Sequence, residues 1–171
     1  MLDQLIKLVE QNAGEAIIKN QALPNQFNNS AIEEVAGSIF STLKSQVGQG
    51  NMQQVASMLQ GGASQRTLAS NPMVTQMISS LASTFASKFG ISSAQAQSIV
   101  SGLLPTVMEQ LVKKTNDPKD NSFDLSNMMK TMSGNNNLDV SSIIGQLAGG
   151  NSSSNPLGGL GSLAGKFFGK K

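Results

Sequence analysis

The sequence contains no cysteine, no histidine, no tryptophan and no tyrosine. Without cysteine there are no disulfides, thiolate nucleophiles or zinc–sulfur sites. Without histidine the commonest general base and the commonest metal ligand are missing. The ten acidic and twelve basic residues show no spacing typical of a catalytic acid pair or a cation-binding loop. We therefore expect a protein that is not an enzyme, with no cofactor, no metal and no small-molecule substrate.

Charged residues are scarce as well. They make up 13% of the chain, against about 25% in an average soluble domain. The net charge is +2, and residues 151–171 contain three lysines and no acid. The surface of the remaining chain is therefore expected to consist of Ser, Asn, Gln and Gly. Such a surface repels its own copies weakly, which predicts self-association into a homo-oligomer or a larger assembly.

Long apolar runs are also absent. No run approaches the ~18 apolar residues of a membrane span. The first residues include Asp3 and Glu10 and have neither the basic start nor the continuous apolar centre of a signal peptide. We expect a cytoplasmic protein.

Apolar residues recur at helical spacing through most of residues 1–148, and no segment alternates as a strand does. The main apolar stripes begin at Leu2, Ile32, Val74 and Ala96. The sequence predicts an all-α fold, a compact multi-helix domain over residues 1–148 with short accessory helices and a Gly-rich C-terminal tail. A polar hinge at residues 61–72 is a possible sub-boundary. Residues 149–159 have the composition of a flexible linker, and residues 160–171 form a cationic amphipathic tail.

Local signals predict where several helices begin and end. Two pairs have the spacing of a capping box, Ser30 with Glu33 and Ser92 with Gln95. Gly90 suits a left-handed helix cap. Pro105 lies inside the most apolar helix and predicts a kink or a one-turn break there.

Two segments near the C-terminus repeat each other. Residues 123–134 match residues 138–149 at a constant offset of fifteen, and residues 52–61 are a looser copy. Each has Asp or Asn as a cap, apolar residues at helical spacing and a terminal glycine. Helices of two to three turns are not stable alone in water. We therefore expect these accessory helices to dock on the main helices or on another copy of the protein.

The C-terminal tail is the candidate interaction segment. In a helical conformation its apolar residues share one face and two lysines lie at the edge: Leu160, Leu163, Phe167 and Phe168, with Lys166 and Lys170. Three interpretations remain open. The tail docks on the body or on a neighbouring subunit, it stays disordered, or it binds a membrane surface as a cationic amphipathic helix.

Two other segments suggest binding functions that the residue types do not favour. Residues 82–104 have the sequence pattern of a helix–turn–helix motif. However, residues 91–112 contain no basic residue. DNA binding is therefore an alternative function, and nucleic acid is not the expected partner. The acids in residues 116–124 are interrupted by Pro118 and Lys119, so we interpret this segment as a polar turn with Asp caps rather than a calcium loop.

Several of these segments together resemble a known family. The segments are Met1 to Val9, Asn12-Ala13-Gly14, Pro24-Asn25, Phe89-Gly90-Ile91-Ser92 through Leu104-Pro105, Lys114 to Pro118, and Phe123-Asp124-Leu125. Over residues 1–135 the chain resembles the YidB-like family of bacterial proteins of unknown function. The resemblance implies an all-helical bacterial protein without an assigned activity, and it carries over no catalytic or binding residue.

Overall fold

The computed structural model describes residues 1–62, 64–134 and 145. These residues form seven α-helices and no strand. The helices are α1 (Leu2–Asn12), α2 (Asn28–Gly48), α3 (Met52–Gln60), α4 (Gln65–Ala69), α5 (Pro72–Phe89), α6 (Ser93–Thr115) and α7 (Leu125–Ser133). A π-helical turn, Gly14–Ile18, follows α1. The prediction of an all-α fold is confirmed.

The hydrophobic core is built around α6, which packs against α1, α3, α4 and α5. Its apolar stripe is wide because paired apolar residues recur every four positions. The buried members are Ala96, Ile99, Val100, Leu103, Leu104, Pro105, Val107, Met108, Leu111 and Val112. The central position predicted for this helix is confirmed. Neither α6 nor any other described helix combines the length and apolarity needed to cross a bilayer.

The segment predicted as a polar hinge, residues 61–72, contains the short helix α4, so that prediction was wrong. Ser64 lies at its N-cap and accepts from the Thr67 backbone N–H. Leu68 is buried in the core. A single apolar residue gives no periodicity, and for this reason the pattern did not indicate a helix. Helices before and after the segment contribute to the same hydrophobic core.

One predicted capping box is confirmed. The Ser92 hydroxyl accepts from the Gln95 backbone N–H at 3.2 Å, and the Gln95 carbonyl oxygen Oε1 accepts from the Ser92 N–H at 3.0 Å. Gly90 before it is left-handed, with φ of 67°, which only glycine adopts readily. Together they make a sharp turn between α5 and α6.

The other predicted capping box, Ser30 with Glu33, was wrong. Helix α2 begins at Asn28, three residues earlier than a cap at Ser30 implies, and its start has no side-chain cap. The Phe27 ring instead packs against Phe89, with ring centroids 5.5 Å apart. This tertiary contact, rather than a local hydrogen bond, holds the start of α2.

Of the two outcomes predicted at Pro105, a kink or a one-turn break, the break was wrong, because helix α6 continues through Pro105. The ring removes one backbone donor, and the carbonyl that loses its partner belongs to Ser101, an exposed residue that water can reach. Leu2 was expected in the first buried stripe but is 40% exposed. The buried face of α1 is centred between Leu5 and Leu8, so Leu2 lies at its edge.

Candidate interaction surface

The predicted interaction residues of the tail lie outside the described residues. They are Leu160, Leu163, Lys166, Phe167, Phe168 and Lys170. The linker 149–159 and the second repeat, except Gly145, also lie outside them. What the structure shows is the surface of the helical body that the tail or a second molecule would meet.

The outer surface of α5, and of α6 before Glu109, carries almost no charge. Between Arg66 and Glu109 the only charged residue is Lys88. Its Nζ donates to Glu34 Oε2 at 2.6 Å. An exposed pair of this kind adds little stability, but it neutralises the single charge of α5 and of α6 before Glu109. The charged residues of α6 are confined to its last two turns, at Glu109, Lys113 and Lys114. The surface of α5 and of α6 before Glu109 is therefore uncharged and polar.

A row of hydroxyl groups follows one side of α5. Ser79, Ser83 and Ser87 are four residues apart, and each hydroxyl donates to the carbonyl oxygen four residues earlier, at 3.2, 3.1 and 3.1 Å. Bonds of this kind keep the hydroxyl proton within the helix. These three side chains are short and offer a partner only acceptor lone pairs. A second protein can approach such a surface closely without having to displace charge.

Residues 82–104 form the helix–turn–helix arrangement that the sequence predicted, with Gly90 at the turn. The exposed residues at the start of α6 are Ser93, Ala94, Gln95, Gln97 and Ser98. None is positively charged, whereas binding to the DNA backbone depends on Lys and Arg. The nearby Lys88 is held by Glu34. DNA binding through this segment stays a prediction, and its neutral surface argues against it.

In the described part of the chain, two large apolar side chains are exposed, Leu2 by 40% and Ile18 by 44%. Isolated residues of this kind are normal on a protein surface. The other large apolar residues of these helices are buried or packed against the core. An apolar contact with a partner would therefore draw mainly on other parts of the chain.

Two surface clefts lie beside α3 and α6. A cleft of about 570 Å³ beside Gln60 contains Glu109, which pairs with Lys113 at 2.8 Å on the solvated side of α6. A cleft of about 590 Å³ beside α3 is lined by amide, hydroxyl and apolar groups. Within residues 1–62 and 64–134, no three His, Cys, Asp or Glu side chains lie close enough together to hold a metal ion.

The acidic segment 116–124 forms turns and helix caps, as predicted. Asp117 Oδ1 accepts from the Lys119 N–H at 2.9 Å. Asp124 Oδ1 accepts from the Asn127 N–H at 2.9 Å and caps α7. These carboxylates satisfy backbone donors that a helix start or a turn leaves unpaired.

Asp120 is the most strongly bound carboxylate of this segment. Its Oδ2 accepts from Lys114 Nζ at 2.7 Å and its Oδ1 from the Ser122 N–H at 2.9 Å. The hydrogen bond from Lys114, and then that from the Ser122 backbone, lower the pKa of Asp120 from 3.8 to about 2. Asp120 thus fastens the segment after α6 to the end of that helix.

This pKa shift predicts how stability depends on pH. Because the folded-state pKa is lowered, the contribution of Asp120 is present above about pH 4 and is lost as the pH falls through about 2. We expect Asp120→Asn to reduce stability at neutral pH. The urea concentration at the unfolding midpoint, measured from pH 7 to pH 2, should fall less steeply toward acid pH (the acid limb) in this variant than in the wild type. Asp3→Asn, at an exposed position of α1, is the control. Equal acid limbs for the wild type and Asp120→Asn would contradict this assignment.

Comparison with known proteins places the chain in one family. The model of a family described as a bacterial protein of unknown function, DUF937, matches residues 71–171. This range includes α5, α6, α7, the second repeat, the linker and the tail. No curated protein and no solved structure matches the chain. The match extends over more than half of the 171 residues, and the chain belongs to the DUF937 family of bacterial proteins of unknown function.

Proposed function

We propose that this protein is a non-catalytic cytoplasmic protein that acts through protein–protein contacts, chiefly self-association. Its helical body supplies an uncharged surface, on α5 and on α6 before Glu109, that a second copy can approach closely. The tail, residues 160–171, supplies the apolar contacts that join one copy to another.

The observation that carries the proposal is the neutral surface of the α5–α6 hairpin. Charge of one sign normally keeps copies of a protein apart. Here the hairpin has a single charged residue between Arg66 and Glu109, and Glu34 neutralises it. Repulsion between two such surfaces is therefore small, and short side chains such as Ser83 do not hold them apart.

The tail supports the proposal because it contains the large apolar side chains that are scarce on the surface of the described body. The body exposes few large apolar side chains, while the tail carries Leu160, Leu163, Phe167 and Phe168 within nine residues. Aromatic side chains, Phe among them, are enriched in protein–protein interfaces. Residues 149–159 have the composition of a flexible linker, which would give the tail reach beyond its own body.

The test replaces both tail phenylalanines. We expect Phe167→Ser with Phe168→Ser to reduce the weight-average mass at high concentration to that of the monomer, measured by sedimentation equilibrium. The matched control is Ser152→Ala with Ser153→Ala in the linker, which should leave the mass unchanged. If the phenylalanine variant assembled as the wild type does, the role of the tail would be refuted.

The same variants address the alternative of membrane binding by the tail. Flotation with vesicles containing anionic lipid would carry the wild type upward, but not the phenylalanine variant, if the tail were an interfacial helix. Our proposal predicts that both proteins stay at the bottom of the gradient.

A further inference from the structure

Helix α7 occupies a defined site on the helical body. It packs against α2 and α3, and its buried residues are Leu125, Met128, Met129 and Met132. The Thr115 hydroxyl of α6 lies 3.8 Å from Met128 Sδ. Asp124 caps the helix and Gly134 ends it in a left-handed conformation. The contacts that hold α7 on the body, its cap and its end can therefore each be attributed to a particular residue.

The second repeat carries the same features fifteen residues later. The buried residues of α7 correspond to Val140, Ile143, Ile144 and Leu147, the cap to Asp139 and the terminal glycine to Gly149. Met, Leu and Ile exchange in cores with little change of volume. The single described residue of this segment, Gly145, is helical and exposed. It corresponds to Lys130, which is not among the buried residues of α7.

We propose that the segment 138–149 is a second occupant of the α7 site of its own chain and that it exchanges with α7 there. Two segments of the chain would then compete for one site, and the apolar face of the segment outside the site would not be buried there. This inference goes beyond the proposed function, because it concerns a contact within one chain, whereas the tail of residues 160–171 joins one copy to another.

The connecting chain permits this exchange. Nine residues, 116–124, join α6 to α7, and twenty-four, 116–139, would join α6 to a helix beginning at Val140. The probability of loop closure falls with the 3/2 power of length, so the longer connection lowers occupancy only about fourfold. Tethering also gives a segment of the same chain a local concentration on the order of millimolar, which favours it over a segment of another molecule.

The two segments differ in sequence in ways that explain why α7 occupies the site in this structure. Gly145 and the β-branched Val140, Ile143 and Ile144 lower the helix propensity of the second repeat. The connection of Asp120 to Lys114 and the burial of Phe123 hold the start of α7 in place. We therefore expect α7 to be the major occupant and the segment 138–149 the minor one.

The test uses paired cysteines and a short thiol-specific cross-linker, since the chain has no cysteine of its own. Thr115→Cys with Met128→Cys reports α7 in the site, and Thr115→Cys with Ile143→Cys reports the second repeat there. The matched control is Thr115→Cys with Gly145→Cys, because residue 145 would face away from the site. All three proteins are full-length and are kept dilute, so that light scattering shows monomers.

We expect intramolecular cross-linking at 128 to be fastest, at 143 slower, and at 145 at least tenfold slower than at 143. Adding Met129→Asp, which expels α7, should accelerate the 143 reaction, and adding Ile144→Asp should suppress it. Equal rates at 143 and 145 would overturn the proposal, even if Met129→Asp failed to fold. Cross-links at 143 that form only between molecules would also overturn it, since the occupant would then be a second copy.

The outcome is separable from that of the proposed function. If the 143 pair does not react while the wild type still assembles at high concentration, the exchange is refuted and self-association stands. If the 143 pair reacts within monomers and no assembly occurs at any concentration, the exchange stands and self-association is refuted.

Discussion

Replacing Phe85 by alanine lowers the free energy of unfolding by about 3–5 kcal/mol, the usual cost of removing a large aromatic ring from a core. Phe85 is fully buried and meets Phe89 edge to face, with ring centroids 5.0 Å apart. The loss combines the hydrophobic transfer of the ring, the aromatic contact and the cavity left behind. A domain of this size has a total stability of about 5–15 kcal/mol, so the variant would be close to unfolding.

The measurement is urea unfolding followed by circular dichroism, because the chain has neither tryptophan nor tyrosine for fluorescence. Ser83→Ala, an exposed change on the same helix, is the control and should shift stability by less than about 0.5 kcal/mol. A loss below about 1 kcal/mol for Phe85→Ala would show that α5 does not pack as described.

We expect Leu104→Asp to abolish folding. Leu104 is fully buried in the middle of α6, and an unpaired carboxylate there would lose its hydration without gaining a partner, at a cost of several kcal/mol. This cost adds to the free energy of the lost apolar burial, and the sum exceeds the free energy of unfolding of the domain. We expect the helical circular dichroism signal to be absent at 25 °C.

The control for this substitution lies on the same helix. Gln97 is exposed and near the N-terminus of α6, where negative charge interacts favourably with the helix dipole. Gln97→Asp should therefore retain the wild-type spectrum and stability. If both variants folded, or both failed to fold, the burial assigned to α6 would be wrong.

The sequence was sufficient where a structural feature depends on neighbouring residues. The turn from Gly90 to Ser92 and the capping of α7 by Asp124 follow from patterns a few residues long, since each depends on backbone geometry that few residue types satisfy. The wide stripe of α6 follows from the helical spacing of its apolar residues. These predictions were confirmed.

The features that the sequence did not indicate depend on contacts between distant residues. Lys88 and Glu34 are 54 residues apart, and Asn116 Nδ2 donates to the carbonyl oxygen of Leu59, 57 residues away, at 2.8 Å. The start of α2 was misplaced because Phe27 is held by Phe89 rather than by a local cap. No pattern within one segment reports such pairs.

The candidate interaction site was only partly predictable. Low charge content indicated a neutral surface, but only the fold shows that α5 and α6 carry it and that Glu34 neutralises Lys88. The tail residues, among them Phe167 and Phe168, lie outside the described residues. Their role stays a prediction drawn from composition and periodicity.

The most direct test of self-association is the molar mass by multi-angle light scattering over a concentration series, comparing residues 1–171 with a chain that ends at Gly149. We predict that the full chain grows in mass with concentration and that the shortened chain remains a monomer. A full chain that stays monomeric at the highest concentration would contradict the account, and its partner would then have to be a different molecule.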